Sequence, residues 1–185
     1  MEILPLLRFR RVLIPGTRHS VRTSRADLVM GERVVVVLEQ PDGSIGRVGT
    51  ASRIHGIGRE GDDRVVLELV GETLVSVHPD GDEASVGLID AEERPGAHEL
   101  VDSVERALRR YMAAKAEAGI GGDVLVTIHR DPVPASHQVA SHLEITWPEV
   151  QDILEAGDAV ERIRREITVL ERETALLRAV LGRSD

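Results

Sequence analysis

Apolar and polar positions follow two different rhythms along this chain. Up to about residue 90 the apolar residues come in short runs broken by turn signals. Val34-Val35-Val36-Val37-Leu38 is a β-branched run, short enough for a buried strand. Pro41-Asp42-Gly43 follows as a turn, with Pro supplying a fixed φ and Gly a positive one. A second strand is predicted over Ile45 to Ile54, with Gly46 and Gly49 as bulges or points of close approach. A third covers Arg64 to Val70, and Gly71-Glu72 is read as a tight turn into Thr73 to Val77. Pro79-Asp80-Gly81 turns the chain into a strand from Ser85 to Asp90. Ser24 to Met30 is read as a short helix, with Ser24 as N-cap and Asp27 three residues later. Evenly spaced short strands with turn signals imply a small barrel or sandwich.

The rhythm changes near Pro95-Gly96, a subdomain boundary that divides a β part, 1–94, from a helical part, 95–185. Leu100, Val101, Val104, Ala107, Leu108, Tyr111 and Met112 recur at helical spacing between Glu99 and Ala118, and Gly119-Ile-Gly-Gly122 stops that helix. Asp131-Pro-Val-Pro134 opens a helix to about Leu143. Thr146-Trp-Pro-Glu149 is a capping box for a short helix to Leu154, and Asp158-Ala-Val-Glu161 is its acidic equivalent for the last helix. That helix has a heptad stripe of Val160, Ile163, Ile167, Leu170, Thr174, Leu177 and Leu181. Two uses compete for the stripe. It could pack on the helix of residues 99–118, or it could form a homodimer through the C-terminal helix. In a parallel dimer Glu166 would face Glu171, which is repulsive, and Glu173 would face Arg178, which is attractive, so the edge charges do not favour self-pairing and packing on the helix of residues 99–118 is the preferred reading.

Composition narrows the chemistry. With 42% apolar residues but only Phe9, Tyr111 and Trp147 as aromatics, the core is aliphatic and there is little to stack on bases. The net charge of −9 disfavours a polyanion partner. The charge is uneven, because Arg8, Arg10, Arg11, Arg18, Arg22 and Arg25 face only Glu2 and Asp27 within residues 1–30. That basic segment is either a set of solvated positions or a face for an acidic peptide or nucleic acid. No cysteine is present, which removes disulfides and thiolate chemistry and fits a reducing cytoplasm. The N-terminus lacks the pattern of a signal peptide, and no apolar run approaches the ~18 residues of a membrane span.

No motif for catalysis survives inspection. Gly56-Ile-Gly58-Arg-Glu-Gly61 matches G-x-G-x-x-G, but Asp62-Asp63 and a β-branched run follow it where a helix is needed. No Walker A sequence occurs, and the single lysine, Lys115, sits in an Ala- and Glu-flanked helix that points to solvent rather than to a Ser–Lys dyad. Asp42-Gly43-Ser44-Ile45-Gly46 lacks the first Gly of a nucleophile elbow. The histidines (His19, His55, His78, His98, His129, His137, His142) show no metal spacing. The carboxylates of 60–63, 80–83 and 90–93 have no calcium-loop order. No catalytic, cofactor-binding or metal-binding residue is assigned.

An ordered set of segments resembles the N-terminal domain of Lon proteases. Leu4-Pro5-Leu6 and Val12-Leu13-Ile14-Pro15-Gly16 are similar to that family's first strand and turn. Val48-Gly49-Thr50-Ala51-Ser52-Arg53-Ile54 looks like its central strand, and Leu69-Val70-Gly71 like its strand leading to a glycine turn. Asp131-Pro132 with Val139-Ala-Ser-His-Leu143, then Glu149-Val-Gln151-Asp-Ile-Leu154-Glu155 and Asp158 to Ile163, resemble its helices. The resemblance runs from about residue 3 to about residue 181. It departs from the family at Thr17 to Arg22, where a Phe- or Pro-rich strand is usual.

The resemblance implies an α+β fold: a PUA-like β pseudo-barrel of about six strands, followed by a C-terminal helical bundle ending in a long helix. It implies a non-catalytic, stand-alone module of a bacterial cytoplasm, without the ATPase and protease of the full enzyme and without a cofactor. Its partners would be proteins or unfolded peptides, acting in substrate recognition or as an adaptor for proteolysis. The alternative is an RNA-binding PUA-like protein using the basic N-terminal segment. A small-molecule cage of the cereblon kind would need four cysteines and several tryptophans that this chain lacks.

Overall fold

The structure is a computed structural model and describes residues 2–60, 64–89, 97–120 and 126–181. Among these residues six strands come first: β1 (Glu2–Phe9), β2 (Arg18–Thr23), β3 (Arg33–Leu38), β4 (Val48–Arg59), β5 (Val65–Asp80) and β6 (Glu83–Leu88). Among the described residues four helices follow: α1 (Ala97–Glu117), α2 (Pro132–His142), α3 (Trp147–Leu154) and α4 (Ala159–Leu181). The fold is therefore mixed α+β, as expected. The chain divides into two compact units. One holds the six strands and α3, the other α1, α2 and α4.

The strand order is β2-β5-β4-β3-β1-β6, and β6 pairs again with β5, so five strands close into a ring with β2 added outside. Among the described residues only β1 and β3 run parallel. All other pairs are antiparallel. The all-apolar run of β3 is explained by burial on both faces. Val35 and Val37 join a core with Leu4, Leu6, Val75, Val77 and Val86. Val34 and Val36 join a second core with Leu7, Leu13, Val21, Ile54, Leu67 and Leu69. Gly49 lets β4 lie against this strand, since a Cβ there would sit 2.7 Å from the Val36 carbonyl oxygen.

Two local expectations are corrected. Gly71-Glu72 is not a turn, because β5 runs unbroken through it for 16 residues. The glycine marks a backbone crossing instead. Gly16 N donates to Gly71 O at 2.8 Å and Gly71 N donates to Thr17 O at 3.0 Å. A Cβ on Gly71 would lie 2.8 Å from Ile14 O. The crossing segment is itself a type II turn: Thr17 N donates to Ile14 O at 3.1 Å across Pro15 and Gly16, whose φ is +81°. Nor does Ser24 to Met30 form a helix. Side chains hold that backbone open: Thr23 Oγ1 accepts from Arg25 N at 3.1 Å, and Glu32 accepts from Val29 N at 2.9 Å. Arg25 is engaged by Asp27 through two bonds of 2.8 and 2.7 Å. The turns at Gly43 and Gly81 stand where expected, with φ of +82° and +62°. Gly61, Asp62, Asp63, Asp90, Glu92, Glu93, Pro95, Gly96, Gly121 and Gly122, all read from the sequence, lie outside the described residues.

In the helical unit, α1 buries Val101, Val104, Ala107, Leu108, Tyr111 and Ala114. It ends where Ile120 N donates to Lys115 O and Gly119 N to Ala116 O, a Schellman closure with Gly119 at φ +72°. The Asp131 side chain caps α2 through Val133 N at 3.0 Å, and Asp158 caps α4 through Glu161 N at 2.9 Å. Helix α4 packs against both α1 and α2, while Ile167, Leu177 and Leu181 of its stripe stay half-buried. Its buried positions are Ala159, Val160, Arg162, Ile163, Glu166, Leu170 and Thr174.

Arg162 and Glu166 are two charged residues that the heptad reading placed off the stripe, and both are fully buried. Arg162 Nε donates to Ser136 Oγ at 3.3 Å, and the Ser136 hydroxyl donates to Glu166 Oε1 at 2.9 Å. Burial pushes the Glu166 carboxyl up to about 8, against the lowering pull of the Ser136 hydrogen bond and of the Arg162 charge.

Two outcomes follow. Gly71→Ala forces Cβ onto backbone and should destabilise the strand unit by about 1–3 kcal/mol, read by chemical denaturation. Glu166 keeps its proton in the folded chain while the unfolded chain releases it near 4.5. Its stabilising contribution is therefore greatest at acid pH and declines as pH rises from about 4.5 to about 8. Denaturation midpoints measured across that window should fall with pH in the wild type and flatten in Glu166→Gln.

Candidate functional site

Helix α3 carries the chain's only tryptophan and is fixed to the strands by polar bonds as well as packing. Its start is held by the capping box: Glu149 Oε2 accepts from Thr146 N at 3.1 Å and from the Thr146 hydroxyl at 2.8 Å. Val150, Gln151, Ile153 and Leu154 form its buried face. Gln151 Nε2 donates to Val48 O at 2.9 Å and to Glu155 Oε1 at 2.9 Å. Glu155 Oε1 also accepts from Arg47 N at 2.8 Å. Gly46 makes room for this clasp, since a Cβ there would fall 2.3 Å from Gln151 Nε2.

The clasp holds Trp147 at the edge of a hollow of about 330 Å³, lined by Arg10, Leu38, Glu39, Gln40, Pro41, Trp147 and Pro148. Trp147 remains 36% exposed. Both prolines stiffen the walls, Pro41 in the β3–β4 turn and Pro148 in the first turn of α3. The lining combines Leu38, Trp147 and two prolines with one cation, Arg10, one carboxylate, Glu39, and the Gln40 amide. Such a surface suits an apolar side chain flanked by polar backbone, not a group that needs metal or acid–base chemistry.

The N-terminal arginines divide into two sets. Arg22 pairs with Glu60 at 2.6 Å and Arg25 with Asp27 at 2.7 Å. Arg8, Arg10, Arg11 and Arg18 are exposed and make no ion pair among the described residues. The pKa of His19 on β2 is lowered, first by partial burial and then by the Arg11 charge. On the strand unit, Arg33 links Glu2 at 2.6 Å and Glu72 at 2.9 Å, and Glu72 also takes Arg53 at 2.7 Å.

Lys115 does not point to solvent as the sequence suggested. It is buried, with its ammonium 5.6 Å from the centre of the Tyr111 ring. The reason is helical geometry: Lys115 lies four residues past Tyr111 and seven past Leu108, on the buried stripe. The histidines are spread over β2, β4, β5, α1, α2 and the segment before α2. Among the described residues no group of His, Asp or Glu could hold a metal ion. The hollow itself was missed by sequence reading. Its only local signal was an aromatic beside proline at the start of a capped helix, which names the helix but not what lies opposite.

No family model matches the chain. It is 27% identical over 199 aligned positions to Lon protease 2 of Desulfotalea psychrophila, covering 95% of this chain and 26% of that protein. It is 26% identical over 192 positions to the Lon protease of Azospirillum brasilense, covering 91% and 23%. The chain thus spans about a quarter of the length of the curated relatives it matches. Among solved structures it superposes on the N-terminal domain of a Mycobacterium avium complex Lon protease with a TM-score of 0.69 at 15% identity, covering 92% of this chain and 98% of that one. A Lon N-terminal domain protein from Xanthomonas campestris superposes with a TM-score of 0.60 at 22% identity, covering 91% and 98%. The chain has the fold of a Lon N-terminal domain, as the sequence resemblance implied.

Removing the clasp tests whether it sets the hollow. Gln151→Ala should cost about 1–3 kcal/mol, because the buried Val48 carbonyl loses its donor. The emission of Trp147 should shift to the red as the start of α3 loosens. Unchanged emission with unchanged stability would show that the clasp is dispensable.

Proposed function

We propose that this chain is a non-catalytic protein-binding module that takes up exposed apolar segments of other proteins in the hollow beside Trp147. It serves recognition in proteolysis rather than bond cleavage. The observation that carries this reading is the partly exposed Trp147, on a helix held by polar bonds, lining a hollow with Leu38, Pro41 and Pro148. An aromatic anchor at a preformed hollow is the feature on which protein interfaces concentrate their energy. The likeness to the N-terminal domains of Lon proteases supports the same role. We take the barrel to be of the PUA-like kind and the setting to be the cytoplasm. No helix among the described residues is long and apolar enough to cross a membrane.

The test uses β-casein, a chain rich in exposed apolar segments. Labelled β-casein should bind saturably by fluorescence anisotropy, and Trp147→Ala should weaken binding by about tenfold or more, as loss of a central aromatic anchor does. With ATP and magnesium present, β-casein should stay intact. Equal binding by Trp147→Ala would remove the hollow from the function, and cleavage that persists through repurification would overturn the non-catalytic reading.

A further inference from the structure

Among the described residues the ring of five strands has no open edge, but β2 lies outside it and pairs on one side only, with β5. The ladder is regular, from Arg18↔Val70 to Thr23↔Val65. Just before it, Gly71 N donates to Thr17 O at 3.0 Å. In an antiparallel pair the bonding direction alternates. His19, Val21 and Thr23 therefore bond towards β5, and the backbone N–H and C=O groups of Arg18, Ser20 and Arg22 face outward. The side chains of these three are exposed as well. An open edge is a template for another strand.

We propose that the free edge of β2 is a strand-addition site for an extended acidic peptide segment. The charges choose the occupant. Arg18 and Arg22 flank Ser20 on one face of the strand. Arg11 acts on His19, which alternation places on the opposite face. Arg11 and Arg18 make no ion pair among the described residues. Carboxylates on either face of an added strand would thus meet a cation. A second copy of this chain is a poor occupant. Antiparallel pairing of β2 with itself about Ser20 sets Arg18 against Arg22, and parallel pairing in register sets each arginine against its own copy. This site is separate from the Trp147 hollow and stands whether or not the hollow takes peptide.

The probe is a fluorescein-labelled peptide of alternating Glu and Val, long enough to span β2, followed by anisotropy at low salt. We expect saturable binding that a Lys–Val peptide of the same length does not show. Arg11→Glu with Arg18→Glu should weaken it about tenfold, a factor within reach of two reversed surface charges. Ser20→Pro removes an outward N–H without touching the bonds to β5, and should abolish binding while circular dichroism stays native. A probe N-methylated at alternate residues keeps its charge but loses strand hydrogen bonds, and it should fail against the unaltered protein. Equal binding of the N-methylated probe would overturn strand addition even if Ser20→Pro proves unstable. Indifference to the charge reversals would overturn the acidic preference, and so would tighter binding of single-stranded RNA than of the peptide. β-Casein binding measured in the same samples reports separately on the hollow.

Discussion

The burial of β3 on both faces is the constraint on which the strand unit depends. Five consecutive residues, Val34 to Leu38, are buried, each worth about 1.5–3 kcal/mol once fully removed from water. A strand with one wet face could not carry such a run without exposing half of it. Here alternate residues feed two different cores. Closure of the ring supplies one core, and the segment around Leu13 with β2 supplies the other. Gly49 and Gly71 are where that double coverage leaves no space for a side chain.

The same strand sets the position of the hollow. Leu38 ends β3 and becomes part of its lining. The turn that follows brings Gly46 and Arg47 under α3, where Gln151 and Glu155 receive them. The helix that carries Trp147 is thus held by the capping box at its start and by bonds made one and two turns further along. A rigid support of this kind matters for binding, because an anchor already in place loses little freedom when a partner arrives.

The helical unit is organised differently. Its centre contains Arg162, Ser136 and Glu166 in a hydrogen-bonded row where a simple bundle would place aliphatic residues. Buried charge seldom adds net stability. What it does add is a demand on alignment, since α2 must present Ser136 between two particular residues of α4. The raised Glu166 carboxyl is the cost of that choice expressed as proton affinity.

Much of this protein was legible in the order of its residues. The strands at Val34–Leu38 and after Pro79-Asp80-Gly81, the start of every helix from Glu99 onward, and the family resemblance all rest on local chemistry: periodicity, caps and turn residues. Those signals act within a few positions, so the sequence alone determined them. Four features did not act locally. Gly71 looked like a turn because crossing backbone and turning backbone both require a residue without a side chain, and only Ile14 and Pro15 arriving from a distant segment distinguish the two. Ser24 to Met30 had a helix start, but distant parts of the chain tie that segment down, through Gly31 N to Ile54 O and the Arg25 guanidinium to Asp82 O. Arg162, Glu166 and Lys115 read as solvated because charge usually is, and were buried by the helices folded around them. The hollow beside Trp147 joins residues about a hundred positions apart. Only the tertiary structure decided these, because each depends on which surfaces meet across the chain.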